Sequence, residues 1–203
     1  MNILFILAFI IFAYLIGSIP TGYITVKLKT GQDIRTIGSG STGATNVKRV
    51  LGKKWFFIVM ILDAIKGALP VIAAKILSKY FIADTYGIYA VISAIFVIIG
   101  HSKPVFLQFK GGKSVASGVG TILALNPTVG IGVALIWGII TYVSKYVSLG
   151  SIIAVSIAPF LMYFLNNPVC YTVYCIIAAV YIVWLHRSNI SRLLKGEENK
   201  VRK

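Results

Sequence analysis

"WFFIVMILDAIKGALPVIAAKIL", Trp55 to Leu77, is the stretch whose reading decides the fold. A helix needs about 20 mostly apolar residues to cross a bilayer, at about 1.5 Å each, and this run is long enough. It nevertheless carries Asp63 and Lys66. Spaced i, i+3, they share one helix face, roughly 12–17 Å along the axis from Trp55. An ionisable group in hydrocarbon costs several kcal/mol unless it is paired. The expectation is a membrane-spanning helix whose two charges form a structural ion pair inside a bundle and help to order the adjoining loops. That reading is favoured over a proton or ion path.

Composition extends the membrane reading to the whole chain. Of 203 residues, 58% are hydrophobic and only 12% are charged, about half the charged share of a soluble domain. Mean hydropathy is +0.88. Twenty Lys and Arg stand against five acids, a formal charge of +15. Such an excess suits a face held against anionic lipid, and anionic substrates. The basic residues are scattered over short loops with no reading domain among them, so nucleic acid is not an expected partner.

Outward from Trp55–Leu77, six more apolar runs can be marked: Ile3–Val26, Phe81–Gly100, Ser114–Leu125, Val129–Val143, Leu149–Leu165 and Val169–Leu185. The fourth in chain order, Ser114–Leu125, reaches only about 18 Å. The last three are marginal in length. The expected fold is an all-α integral membrane protein, a compact bundle of about seven transmembrane helices, some short, forming a single domain over 1–203. Five full spans remain an open alternative. With the N-terminus outside and the C-terminus cytoplasmic, seventeen of the twenty basic residues fall in cytoplasmic segments at about 27–54, 101–113, 144–148 and 186–203. Lys75 and Lys79 alone fall outside, as the positive-inside rule requires. The expected location is the bacterial inner membrane, with the polar chemistry on the cytoplasmic face.

Two glycine-rich loops lie in those segments. "GSGSTGATNVKR", Gly38 to Arg49, has the G-x-G-x-x-G spacing of a dinucleotide-binding turn, but "LKTGQDIRTI" precedes it where a buried strand is needed. The nucleotide reading therefore fails. What survives is an anion site: Gly and Ser in succession let backbone N–H groups converge, and a helix starting near Ala44 adds its positive end. Ser39, Ser41, Thr42 and Thr45 add hydroxyls, Asn46 an amide, and Arg49 a guanidinium one turn on. The second loop, "HSKPVFLQFKGGKSVASG" from His101, resembles a Walker P-loop at "GGKS", yet Leu107 stands where its first glycine belongs. Lys110 and Lys113 flank its glycines. A lysine at a helix start opposes the dipole, so Lys113 is expected to have an anionic partner.

Farther on, His186 and Asn189 share a helix face at i, i+3, as do Ser148 and Ser151. Two distant histidines and few acids make a metal site improbable, and no cofactor is expected.

Taken together, "GSIPTGY", "GSGSTGATNVKR", "DAIKG", "HSKPVFLQFKGGKSVAS", "YVSLGSI" and "HRSNISRLLKGEE" resemble, in order and spacing, the bacterial acyl-phosphate:glycerol-3-phosphate acyltransferases of the PlsY type. The resemblance covers essentially the whole chain. It implies seven helices and transfer of a fatty acyl group from acyl phosphate to the 1-hydroxyl of glycerol 3-phosphate, giving lysophosphatidic acid and inorganic phosphate. It also implies that Ser39, Gly40, Ser41, Gly43, Thr45, Asn46, Arg49, Lys113, Ser151, His186 and Asn189 contact substrate, with Lys113, Arg49, Asn46, Ser151 and His186 at the chemistry. Membrane lipid is an expected partner, and the enzyme that makes acyl phosphate is a candidate one. Two departures stand out, because this family usually has Asn at the position of Ser41 and Gly at that of Ser114.

The residues are compatible with that reaction. The H-x-x-x-x-D pair of other glycerol-phosphate acyltransferases is missing, since Phe106 and Ser191 lie five positions after His101 and His186. Phosphate is a good leaving group, so direct transfer without an acyl-enzyme suffices. The alternative function is an anion or phospholipid transporter whose glycine loops are broken-helix ion sites. Only Asp63 and Lys66 are placed for that.

Overall fold

The computed structural model describes residues 3–82 and 87–201. The start of the third apolar run, at 83–86, and the basic residues Arg202 and Lys203 lie outside them. Every regular element among the described residues is helical. The chain divides into two compact units, Met1–Thr121 and Ile122–Lys203.

In the first unit the elements are α1 (Ile3–Ser18), α2 (Thr21–Thr30), α3 (Ala44–Leu51), α4 (Lys53–Leu77) and α5 (Ile88–Ser102). The helix α6 (Val115–Leu125) begins in this unit. Pro20 divides α1 from α2, because proline has no N–H and its ring collides with the preceding turn. Such a break strands carbonyls. Ile19 O is taken by Lys66 Nζ at 2.6 Å. Helix α4 is inside-out relative to a soluble helix. Asp63, Lys66, Gly67, Pro70, Val71 and Ala74 are buried, while Phe57, Ile61, Ile65, Leu69, Ile72 and Ile76 are exposed. An apolar exposed face over charged buried positions is stable only where lipid replaces water. Helices α4 and α6 touch backbone to backbone at Gly67 and Gly120. A Cβ on Gly67 would come within 2.9 Å of Ser117 Cα, and one on Gly120 within 2.9 Å of Ala64 Cα. That closeness seats α6 on the stretch of α4 that carries the two charges.

In the second unit α7 (Pro127–Ser144), α8 (Val147–Phe164) and α9 (Val169–Leu185) pack in sequence. Helix α10 (Arg187–Leu194) leaves α9 at a 60° bend. Asn126 caps α7 by accepting from Val129 N, and its amide donates to Asn167 Oδ1 at 2.6 Å, tying the α6–α7 turn to the α8–α9 turn.

Length and composition qualify five helical stretches as spans among the described residues, and a sixth if the bent pair α9–α10 counts as one. The first of them is α1 and α2 taken together. With 11 residues, α6 falls below the length of a straight span. Seven apolar runs in the sequence therefore correspond to five or six qualifying spans.

Candidate active site

The first glycine loop is built around one side chain. Asn46, in the first turn of α3, is 1% exposed. Its Nδ2 donates to Ile34 O at 3.3 Å, Ile37 O at 2.9 Å and Ser41 O at 3.0 Å, and its Oδ1 accepts from Ser39 N at 3.1 Å. Below it Val26, Ile34, Val47 and Val59 form a closed apolar cluster that fixes α3 against α2 and α4. Gly38 and Gly40 adopt left-handed backbone, φ +61° and +68°, the conformation that glycine tolerates without strain.

Both ends of the Asn46 amide bond the loop's own backbone. Of the loop's amides, Ser39 N goes to Asn46 Oδ1, Gly40 N to Ile37 O and Gly43 N to Ser41 Oγ. What the loop presents is the start of α3, which has no side-chain cap at Gly43, with Thr45 in its first turn and the exposed Arg49 one turn on. A helix start without a cap exposes N–H groups and partial positive charge. The nearby Arg35 is held by Asp33 at 2.6 Å and reaches Leu107 O at 3.5 Å, so this loop and the second one are linked.

The second loop is tied to the end of α5. Gly111 N donates to Ser102 O at 3.2 Å and Gly112 N to His101 O at 3.1 Å. These amides also face the protein; of the loop's two lysines, Lys113 is half-buried and Lys110 is exposed. Ser114 has φ +60°, left-handed backbone that glycine adopts without strain. Its hydroxyl donates to Ile98 O at 2.7 Å and is fully buried. The extra side chain thus turns into the bundle, and its hydrogen bond offsets the left-handed strain.

Asp63 and Lys66 lie on the buried face of α4. They pair at 3.0 Å with side chains 2% and 7% exposed. Asp63 also accepts from Thr21 Oγ1.

The second unit carries the remaining residues. His186, at the α9–α10 bend, is buried, and its Nδ1 lies 2.8 Å from Ile182 O. A carbonyl only accepts, so Nδ1 bears a proton. Ser151 Oγ donates to Val147 O at 2.8 Å, a helix back-bond that leaves its lone pairs for another donor. Asn189 Nδ2 donates to Glu198 Oε1 at 2.6 Å. Ser148 Oγ reaches the same oxygen at 2.8 Å, and Arg192 Nε reaches Oε2 at 2.7 Å.

The family model described as "Glycerol-3-phosphate acyltransferase" matches residues 7–196. The chain belongs to the glycerol-3-phosphate acyltransferase family. A glycerol-3-phosphate acyltransferase of Desulforamulus reducens is 47% identical, over 95% of this chain and 93% of that one. Another of the same name, from Prochlorococcus marinus, is 45% identical over 99% and 98%. The crystal structure of PlsY (YgiH), an integral membrane glycerol 3-phosphate acyltransferase, in its glycerol 3-phosphate form matches with a TM-score of 0.88 and 40% identity. It covers 97% of this chain and 96% of its own. The lysophosphatidic acid form matches with a TM-score of 0.84. The chain is therefore an all-α integral membrane glycerol-3-phosphate acyltransferase.

Three residues of the acyltransferase escaped sequence reasoning: His101, Ser117 and Glu198. Glu198 had one legible signal, being one of only five acids in the chain. Its carboxylate straps the tail across the α7–α8 turn, where Val201 N donates to Lys145 O at 2.7 Å and Lys200 lies over the Tyr146 ring. Burial on its own would raise the Glu198 pKa, but hydrogen bonds from Asn189, Ser148 and Arg192, with the Arg192 charge, hold it below 4.5. A carboxylate lowered in the folded state adds stability that is complete above its unfolded pKa. That stability is lost as pH falls through the folded value. The tail contact should therefore be intact at neutral pH and weaken below about pH 4.5. Hydrogen exchange at the Val201 amide should accelerate over that range, and Glu198→Gln should remove the acid step.

Proposed function

We propose that the acyl donor is acyl phosphate and that transfer to the 1-hydroxyl of glycerol 3-phosphate is direct. The observation that carries this reading is the locked first loop. Asn46 holds four backbone groups rigid, so Arg49 and the uncapped start of α3 are presented without reorganisation, as anion binding and charge stabilisation require. Arg49 and Lys113 neutralise the phosphate groups of the two reactants. Ser39, Gly40, Ser41, Gly43 and Thr45 shape the first loop's contact with them. His186 accepts a hydrogen bond from the glycerol hydroxyl through Nε2, and Ser151 and Asn189 help to orient that substrate. The hydroxyl oxygen attacks the acyl carbon, the acyl carbon–phosphate oxygen bond breaks, and the hydroxyl proton passes to the departing phosphate. Lysophosphatidic acid and inorganic phosphate result.

The loops would face the cytoplasm of a bacterial inner membrane, with the N-terminus outside. Seventeen of twenty basic residues in the intervening loops and tail support this orientation. Purified protein in detergent, given labelled glycerol 3-phosphate, should form lysophosphatidic acid and release phosphate with acyl phosphate. It should form none with an acyl thioester. Product from the thioester alone would overturn the donor assignment, and no product without a sealed membrane would favour transport.

A further inference from the structure

His101, the one histidine of α5, is buried to 6% exposure and is not used by the reaction as described above. One edge of its ring faces the charged pair of α4. Nδ1 lies 2.9 Å from Ser117 Oγ and 3.6 Å from Asp63 Oδ1. The opposite edge lies against Gly112. A Cβ on that glycine would come within 3.0 Å of His101 Cδ2 and 3.3 Å of Cε1, and closer still to Nε2. The imidazole is therefore a spacer between the Asp63–Lys66 pair and the second glycine loop.

The loop has no other freedom at this point. Gly111 N is bonded to Ser102 O, Gly112 N to His101 O and Ser114 Oγ to Ile98 O. Lys113 stands between the last two anchors. The backbone bonds fix the loop along the end of α5, and the ring sets how far the loop stands off the bundle.

We propose that His101 is the positioning residue for Lys113, holding it at the height from which it meets a substrate phosphate; this rests on the phosphate-binding role given to Lys113 above. The ring touches no reacting atom. It acts through Gly112, and it connects the loop to Asp63, whose carboxylate also holds Thr21 at the start of α2. A displacement of about 1 Å in a positioned group can cost about 10²-fold in rate, so a side chain that only fills space becomes kinetically visible here.

The test uses the full-length enzyme in detergent, with KM and kcat measured for both substrates and folding followed by thermal unfolding. His101→Ala should raise KM for the same substrate whose KM Lys113→Ala raises, and lower kcat/KM at least about tenfold. A purely structural role would reduce the active fraction, and so kcat, with KM unchanged. Gly112→Ala should be severe in the natural background, because its Cβ meets the ring. It should cost little more once His101 is Ala. His101→Gln, which keeps a flat polar group between Ser117 and Gly112, should recover part of the KM, and it carries the same comparison with Gly112→Ala if His101→Ala does not fold. An unchanged KM, or the same fold-loss for Gly112→Ala in both backgrounds, overturns the proposal. If Lys113→Ala keeps full activity, the phosphate reading fails and this inference fails with it. If Lys113 is essential but the coupling is absent, the positioning inference alone fails.

Discussion

Lys113→Ala should lower kcat/KM by about 10²–10³-fold, the usual cost of removing one preorganised donor to developing negative charge. The anchors on either side, Gly112 N to His101 O and Ser114 Oγ to Ile98 O, do not involve the lysine side chain and should hold the loop in the variant. Arg49→Ala should be similarly severe, since the guanidinium is exposed beside the loop that Asn46 holds. Lys110→Ala is the internal comparison. Lys110 is exposed where Lys113 is half-buried, and an exposed cation several residues before α6 is screened by water and salt. Steady-state kinetics with both substrates varied would read the difference. Loss of activity in Lys110→Ala with normal kinetics in Lys113→Ala would overturn the assignment of the second loop.

The largest stability effect is expected at Asp63. Asp63→Ala leaves the Lys66 ammonium buried without its 3.0 Å partner. Breaking one side of a buried ion pair typically costs about 3–5 kcal/mol, whereas replacing both sides by apolar residues of similar volume is often neutral or better. Asp63→Leu combined with Lys66→Met should thus recover most of the loss seen in Asp63→Ala, measured as the unfolding midpoint in a denaturing detergent titration. Activity should not recover with it. The double variant still removes the donor to Ile19 O at the α1–α2 break, the acceptor for Thr21 Oγ1 and the charge beside His101. An Asp63→Ala protein as stable as the parent would show that the pair does not hold the bundle.

The contrast between Asp63 and Asn46 shows how far sequence reading reached. Two opposite charges at i, i+3 within an apolar run have one low-energy outcome, and the helix period alone brings them together. Asn46 had several. A buried amide offers two donors and two acceptor sites, and the choice between a substrate oxygen and the backbone at Ile34, Ile37 and Ser41 depends on how the loop folds back. Glycine spacing is limited for the same reason. It marked positions of unusual backbone, as at Gly38 and Gly40, but not the direction in which their amides point.

By itself, the sequence determined the membrane class, the helical runs, the polar segments between them and the family, because hydrophobic length, charge placement and motif spacing are properties of neighbouring residues. Tertiary structure alone decided how the polar groups are used. Lys66 finds Ile19 across 47 positions, Ser148 finds Glu198 across 50, and His101 is set between Asp63 and Gly112. A buried polar group must be satisfied, but which partner satisfies it is settled only when distant segments pack.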